Sequence, residues 1–139
     1  MQNRKKWINE AATQPRILFV ADDSRVMSSL RQTIAAMNFD ALTARSCATA
    51  RILADATPFD ILCCDSELPD GNGVELAREL RAAMGCKVVI ISAHSLGGQD
   101  LPGGIDGWLV KPVLLSQLRG VLAQCLAFRA VPPNADHSQ

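Results

Sequence analysis

The chain has 139 residues, of which fourteen are basic and fourteen acidic, and 48% are hydrophobic. This length predicts one domain with its own core and no second domain, and the balanced charge gives no general attraction to nucleic acid or to an anionic membrane. Apolar runs fall short of the ~20 residues that cross a bilayer, and the polar amino terminus does not resemble a signal peptide. We therefore expect a cytoplasmic domain without direct membrane contact.

The cysteines point to packing and not to chemistry. There are five of them: Cys47, Cys63, Cys64, Cys86 and Cys125. Their number is odd, their spacing is not that of metal ligands, and most of them lie in apolar segments. We expect buried, reduced thiols in preference to a redox or zinc site.

The first predicted strand ends in two acids. Residues 1–15 are mostly polar and are interpreted as an amino-terminal linker or short helix. The apolar run Ile17–Ala21 that follows is typical of a buried strand, and Asp22 and Asp23 come directly after it. Ser24, like Asp23, can cap the next helix. Apolar residues at helical spacing define the inner face of that helix: Val26, Leu30, Ile34 and Met37.

The same alternation of helix and strand continues to the middle of the chain. Asn38 suits the left-handed position that ends a helix, a weaker strand is predicted at 41–44, and Ser46 can cap a second helix. Four consecutive apolar residues, Ile61 to Cys64, then predict a strand buried on both faces. This strand delivers Asp65 into a loop rich in turn-forming residues.

A third helix and a fourth strand follow that loop. Apolar spacing predicts the helix over 74–84, and Gly85 suits its carboxyl-terminal cap. The run Lys87–Ile91 is the most β-branched in the chain and ends at Ser92.

The segment after the fourth strand is poor in helix-forming residues. Glycine and proline recur in residues 94–107, which predicts a loop or at most one turn. A fifth short strand, Trp108–Val110, then leads into Lys111, and a last helix precedes a tail at 130–139 that we expect to be disordered. The apolar face of this helix is made of Leu115, Leu118, Leu122, Cys125 and Leu126.

Five strands alternating with helices predict an α/β fold with a single doubly wound, five-stranded parallel sheet. In the flavodoxin-like order 2-1-3-4-5, strands one and three are neighbours at the point where such sheets bind ligands. We expect Asp22, Asp23 and Asp65 to meet at this edge. Ser92 and Lys111 would reach it from the other side.

Three acids at one edge need a compensating charge. Two carboxylates ~4 Å apart repel by about 4 kcal/mol at an effective dielectric of about 20, so three must hold protons or a cation. Oxygen ligands with room for water are those that Mg²⁺ prefers.

These residues, in this order, resemble the receiver domain of response regulators in two-component signalling (CheY-like). The resemblance covers roughly residues 16–129, which we predict to be the receiver domain. It is carried by the residues at four strand ends: Asp22-Asp23, Asp65 with Leu68-Pro69-Asp70-Gly71-Asn72-Gly73 after it, Ser92-Ala93 and Lys111-Pro112.

The resemblance implies a phosphoacceptor site. Asp65 would take a phosphoryl group from a phosphohistidine, supplied by a histidine kinase or a histidine phosphotransfer protein. Asp23 and Asp65 would bind Mg²⁺ directly, the Glu67 backbone carbonyl would add a ligand, and Asp22 would act mostly through water. Lys111 would stabilise charge on the transferring oxygens.

The resemblance also implies a switch. Ser92 would hydrogen-bond the attached phosphoryl group and pull its loop toward the site, and Trp108 lies where the family has an aromatic switch residue. The exposed Glu67 side chain would tune the lifetime of the phosphoryl group or would simply be a solvated loop acid. Taken alone, Ser92 is more typical of a strand-end hydroxyl and Lys111 of a solvated surface charge. Trp108 is equally compatible with a packing role.

The chain departs from the family at residues 97–107, where the fourth helix is degraded or missing. Many DNA-binding members dimerise through that region, so we do not expect this output here and expect no contact with nucleic acid. The segment from Lys111 to Leu118 resembles receivers of hybrid histidine kinases. The hypothesis is a phosphorelay receiver that stands alone or belongs to such a kinase.

Three other functions are considered. A pseudo-receiver would regulate a partner, such as a kinase, by docking without phosphorylation. A Mg²⁺-dependent phosphohydrolase would need a second acid two residues after the nucleophile, which Asp65-Ser66-Glu67 only approximates. A nucleotide-binding domain would need a glycine-rich loop after the first strand.

Overall fold

The computed structural model describes residues 14–130. The predicted linker at 1–15 and tail at 130–139 lie almost wholly outside the described residues, so the domain limits of 16–129 stay a prediction. None of the helices in the described part of the chain is long and apolar enough to cross a membrane.

The central sheet has the predicted order. Its parallel strands are β1 (Arg16–Val20), β2 (Asp40–Ala44), β3 (Ile61–Asp65), β6 (Lys87–Ser92) and β7 (Gly107–Val110), arranged β2-β1-β3-β6-β7. The strands β4 (Glu67–Leu68) and β5 (Gly71–Asn72) form a separate antiparallel hairpin after β3. Numbered as five main strands, the order is 2-1-3-4-5, and the predicted flavodoxin-like fold is confirmed.

Four described helices cover the two faces of this sheet. They are α1 (Ser24–Ala36), α2 (Cys47–Ala56), α3 (Gly73–Met84) and α4 (Leu115–Ala130). Because successive strand residues point to opposite faces, the sheet supports two cores. One lies under α2 and α3 and includes Leu18, Leu62, Val88 and Ile90. The other lies under α1 and α4 and includes Phe19, Cys63, Ile91 and Leu109.

The apolar runs that predict the strands are buried in the structure. All the residues of β3 are buried, as the run Ile61–Cys64 predicts. The cysteine prediction is also confirmed, since all five thiols are free and buried. Burial raises the pKa of the Cys125 thiol to about 11, which keeps it protonated and unreactive at neutral pH.

Helix ends agree with the sequence at three positions, and at the fourth the structure selects one of the two predicted caps. Ser46 caps α2, and Asn38 and Gly85 take the left-handed conformation, with φ of 66° and 73°. The cap of α1 is Asp23, whereas Ser24 is the first residue of the helix. A carboxylate accepts hydrogen bonds from two amides at once, which favours Asp23 over the neighbouring hydroxyl.

Residues 93–106, which connect β6 to β7, contain no helix, as their glycines predict. The connection is nevertheless attached to α3. Arg78 Nε donates to the Gly103 carbonyl at 3.0 Å, and Arg81 Nη1 donates to the Gly104 carbonyl at 3.3 Å. Two arginines of α3 therefore hold the segment that stands in place of a helix.

The end of this connection is fixed by Asp106. Its carboxylate pairs with Arg81 and also accepts a hydrogen bond from the Val88 amide at 2.8 Å. The Asp106 amide donates in turn to the Val88 carbonyl at 2.8 Å. This exchange extends the ladder between β6 and β7 and sets where β7 begins.

Candidate functional site

Asp65 is the last residue of β3 and only 5% of its surface is exposed. Both of its carboxylate oxygens have donors. Lys111 Nζ lies 2.6 Å from Oδ2, and the Glu67 amide donates to Oδ1 at 3.2 Å. The predicted meeting of Asp65 and Lys111 at the carboxyl edge of the sheet is therefore present as a direct ion pair.

Lys111 comes directly after β7, and its backbone ties two strand ends together. Its amide donates to the Ser92 carbonyl at 2.8 Å, and the Lys111–Pro112 peptide bond is cis. The lysine side chain is 36% exposed, in contrast to the carboxylate that it contacts. The ammonium group is thus open to a reactant that approaches from solvent.

Ser92 and Trp108 both contact the backbone of His94. Ser92 is 2% exposed, and its hydroxyl accepts a hydrogen bond from the His94 amide at 3.0 Å. Trp108 is half-buried, and its Nε1 donates to the His94 carbonyl at 2.9 Å. The two predicted switch residues thus bind the backbone N–H and the backbone C=O of one residue, His94, at the start of the 93–106 connection.

Asp23 caps α1, which is one of the two roles predicted for it. Its Oδ1 accepts hydrogen bonds from the Arg25 amide at 2.9 Å and from the Val26 amide at 3.4 Å. These two amides lower the pKa of the carboxyl, so it is ionised at neutral pH. The cap occupies one carboxylate oxygen.

Asp22 points to a different partner. Arg45 Nη2 lies 3.8 Å from Asp22 Oδ1 and donates to the Asp22 backbone carbonyl at 2.9 Å. Both side chains are largely exposed, at 64% for Arg45 and 59% for Asp22. Asp22 is therefore held by a cation from the connection between β2 and α2.

Asp22, Asp23 and Asp65, which were expected to meet at this edge, each contact a different donor, and their joint role as metal ligands stays a prediction. Across residues 14–130, no three His, Cys, Asp or Glu side chains come together as a group that could hold a metal ion. The physical reason is the repulsion that motivated the expectation, because each acid reduces it by taking its own donor. Asp22 takes Arg45, Asp23 takes the amides of α1, and Asp65 takes Lys111.

The donor set fits Mg²⁺ with the two direct carboxylates that the resemblance implies. Mg²⁺ commonly binds one or two carboxylates and completes its shell with water and phosphate oxygens. Asp23 and Lys111 line one cleft, so Asp23 lies on the same side of the sheet edge as the Asp65–Lys111 pair. Asp23, Asp65 and the Glu67 carbonyl are the residues that would hold the ion.

Asp70 is a residue whose role sequence reasoning missed. From the hairpin after Asp65, its two carboxylate oxygens accept hydrogen bonds from the Cys47 amide at 2.8 Å and the Ala48 amide at 3.0 Å. These amides lower the pKa of Asp70. The loop that carries Glu67 is thereby tied to the first turn of α2.

The other end of the loop is fixed where α3 begins. Asn72 caps α3 by accepting hydrogen bonds from the amides of Val74 at 2.8 Å and Glu75 at 3.1 Å. Gly73 packs against the backbone of Asp65, so closely that a Cβ would lie 1.8 Å from the Asp65 carbonyl oxygen. Only glycine allows α3 to start this near the acid.

A cleft of about 550 Å³ lies beside the site, between α1 and the segment that follows β7. Its walls combine charge at the site end with apolar surface further out. The charged residues are Asp23, Arg25 and Lys111, and the apolar ones include Val26, Val113 and Leu115. The cleft reaches Lys111, which forms the ion pair with Asp65.

Comparison with known proteins agrees with this geometry. Residues 17–123 match the family model of the response regulator receiver domain, and the chain belongs to this family. The family consists of signalling domains that work with histidine kinases in two-component systems.

Curated relatives are longer regulators. The chain is 34% identical over 126 residues to the alginate biosynthesis transcriptional regulatory protein AlgB of Pseudomonas syringae pv. tomato, covering 86% of this chain and 28% of that protein. It is 33% identical over 115 residues to the transcriptional regulatory protein PrrA of Mycobacterium tuberculosis, covering 80% of this chain and 49% of PrrA. The chain thus spans half or less of the length of these relatives.

Solved structures share the fold. The receiver domain of the hybrid histidine kinase CckA is 28% identical, with a TM-score of 0.69 over 80% of this chain and 98% of that one. A receiver domain protein from Methanospirillum hungatei is 24% identical, with a TM-score of 0.75 over 83% of this chain and 95% of that one.

Proposed function

We propose that this chain is a phosphoacceptor receiver in a phosphorelay, with Asp65 as the residue that takes the phosphoryl group. The observation that carries the proposal is the 2.6 Å pair between Lys111 Nζ and Asp65 Oδ2. It joins a buried carboxylate to a partly exposed ammonium at the edge where strands of this fold present ligands.

The reaction is a direct transfer between two nucleophiles. An Asp65 carboxylate oxygen attacks phosphorus, the O–P bond forms, and the P–N bond to the donor imidazole breaks. Lys111 moves its hydrogen bond from Asp65 to an oxygen of the arriving group and stabilises its charge. Mg²⁺, when held by Asp23, Asp65 and the Glu67 carbonyl, supplies further neutralisation of the phosphoryl oxygens.

In this proposal the switch acts through the backbone N–H and C=O of His94. An attached phosphoryl group would accept a hydrogen bond from the Ser92 hydroxyl. To donate it, the hydroxyl rotates toward the site, and this rotation changes the hydrogen bond that the same hydroxyl accepts from the His94 amide. The Trp108 indole donates a hydrogen bond to the carbonyl of the same residue. A movement of His94 would therefore shift both the 93–106 connection and the indole. Glu67 lies at the mouth of the site, where its charge would tune access of water to the phosphoryl group.

The partner in this proposal is a histidine kinase or a histidine phosphotransfer protein in the cytoplasm. The cleft beside α1 supports it, because an apolar wall next to the Asp65–Lys111 pair suits a helix that carries a phosphohistidine. The likeness to the CckA receiver favours a hybrid kinase setting. In this proposal the described domain does not bind nucleic acid. Its relatives AlgB and PrrA are transcriptional regulators by name.

The test is a search for one phosphoryl adduct. The protein is incubated with Mg²⁺ and a small phosphodonor such as acetyl phosphate, and its intact mass is measured beside that of Asp65→Asn. We expect a single base-labile adduct on the wild type and none on the variant. A wild type without an adduct would favour a pseudo-receiver, and rapid turnover of generic phosphoesters would favour a phosphohydrolase.

A further inference from the structure

Arg45 is a cation at the acidic edge for which the mechanism above has no role. It follows the last residue of β2 and precedes Ser46, the cap of α2. From there its guanidinium reaches the connection between β1 and α1, where Nη2 donates to the Asp22 carbonyl at 2.9 Å. A backbone carbonyl thus fixes the position of this charge.

The same nitrogen lies 3.8 Å from Asp22 Oδ1. The anchored guanidinium therefore holds the Asp22 carboxylate on the side of α2. Asp23, the next residue, is directed to the amides of α1 instead. Arg45 and the amides of α1 thus direct two consecutive acids to different partners.

We propose that Arg45 is a positioning residue that lowers the affinity of the site for Mg²⁺ by holding Asp22. This inference rests on the metal site of the proposed function. A guanidinium and a divalent cation compete for the Asp22 carboxylate, and the two positive charges also repel each other. When Arg45 is removed, Asp22 is free to turn toward the ion or toward its water shell.

Solvent limits the size of the effect. Arg45 and Asp22 are exposed by 64% and 59%, so water and salt screen their interaction. A unit charge several ångströms from a divalent ion under such screening changes the dissociation constant by about threefold to tenfold. Arg45 therefore adjusts the affinity and does not decide whether the ion binds.

The experiment is a Mg²⁺ titration of the full chain by isothermal calorimetry, with Mg²⁺-dependent melting temperature as a second readout. Arg45→Gln should bind Mg²⁺ about threefold to tenfold more tightly than the wild type, and Arg45→Lys should lie between them. Arg51→Gln is the matched control, since Arg51 also forms a surface ion pair, with Glu79, but on the α2–α3 surface. It should leave the Mg²⁺ affinity unchanged.

Two further measurements separate electrostatic competition from a structural effect. The difference between wild type and Arg45→Gln should shrink in 0.5 M salt, because the charges are screened. In an Asp22→Asn background, Arg45→Gln should produce a much smaller change than in the wild type.

An unchanged or weaker Mg²⁺ affinity in Arg45→Gln would overturn the inference. If the wild type still acquires the phosphoryl adduct, the proposed function stands without the inference about Arg45. If none of the variants binds Mg²⁺, the metal site itself is contradicted, and the proposed function loses its cofactor as well.

Discussion

Asp65 has little contact with water, so Lys111 and the Glu67 amide supply the polar contacts of its carboxylate. The carboxylate side chain is 7% exposed and the lysine 36% exposed, which makes the pair asymmetric. Removing the lysine leaves a buried anion without its cation, whereas neutralising the acid leaves an ammonium that water can solvate.

This asymmetry predicts the order of stability of two variants. Lys111→Met should lower the free energy of unfolding by about 1–3 kcal/mol, less than for a fully buried pair because the lysine is partly solvated. Asp65→Asn should change it by less than about 1 kcal/mol. Urea unfolding of both variants and of the double variant measures the difference. An Asp65→Asn variant that is less stable than Lys111→Met would contradict this account of the pair.

At the scale of single residues, the sequence identified which side chains reach the edge but not how they are oriented. Asp65, Ser92 and Lys111 lie at strand ends, and a strand end is readable from an apolar run. The orientation of Asp22 depends on Arg45, which comes from the end of another strand. Only the folded chain brings these two together, so no local pattern contains the contact.

The hairpin after β3 is organised by Asp70, which connects it to α2. Ser46 accepts the hydrogen bond from the Thr49 amide, and Asp70 accepts those from the Cys47 and Ala48 amides. The first three amides of α2 are thus satisfied by two side chains from different parts of the chain. A cap from 22 or more residues away cannot be predicted from sequence spacing, which explains why it was missed.

Asp70→Ala should lower the melting temperature by about 2–6 °C, because two helix amides lose their acceptor. Asp70→Asn, which keeps an acceptor oxygen, should cost less. Asp55→Ala, an exposed acid on α2, serves as the matched control and should have little effect. Thermal unfolding by circular dichroism checks this, and an Asp70→Ala variant as stable as the control would contradict it.

The same contact predicts a pH dependence. Because the folded-state pKa of Asp70 lies below the ordinary value of 3.8, its ionised form stabilises the fold above that value. This contribution is lost as the pH falls through the folded-state pKa. The difference in stability between wild type and Asp70→Ala should therefore be constant from pH 5 to 7 and shrink below about pH 4. A difference that grows in acid would contradict this assignment.

The connection between β6 and β7 is the element that departs from the family pattern, and its glycines made the departure predictable. Its attachment to α3 was not predictable, because nothing in the sequence distinguishes Arg78 and Arg81 from other arginines on the outer face of a helix. Hydrogen exchange should show fast exchange at residues 94–104 and protection in β6.

In Arg81→Ala, the amides of Val88 and Asp106 should exchange faster than in the wild type, since the substitution removes the guanidinium that holds the Asp106 carboxylate. Arg31→Ala, an exposed arginine on α1, is the control and should leave these amides unchanged. Protection typical of a helix across residues 96–107 would contradict the loop and the argument about the output face.

At the scale of the whole molecule, the sheet order and its two cores were predictable because each buried strand is a continuous apolar run. A groove of about 710 Å³ runs along β7 and α4, lined in part by Trp108, Val110 and Gly120. Trp108 thus belongs both to the site, through His94, and to this outer surface. In the proposed function, Trp108 would connect phosphorylation of Asp65 to this outer surface.

The most direct test of the central claim, that Asp65 receives the phosphoryl group, is to locate the adduct in the chain. The protein is treated with Mg²⁺ and acetyl phosphate, reduced with borohydride so that an acyl phosphate becomes a homoserine, and mapped by peptide mass spectrometry. The account predicts homoserine at position 65 alone, and none after the same treatment of Asp65→Asn. Homoserine at Asp22, Asp23 or Asp70 instead, or none at all in the wild type, would contradict it.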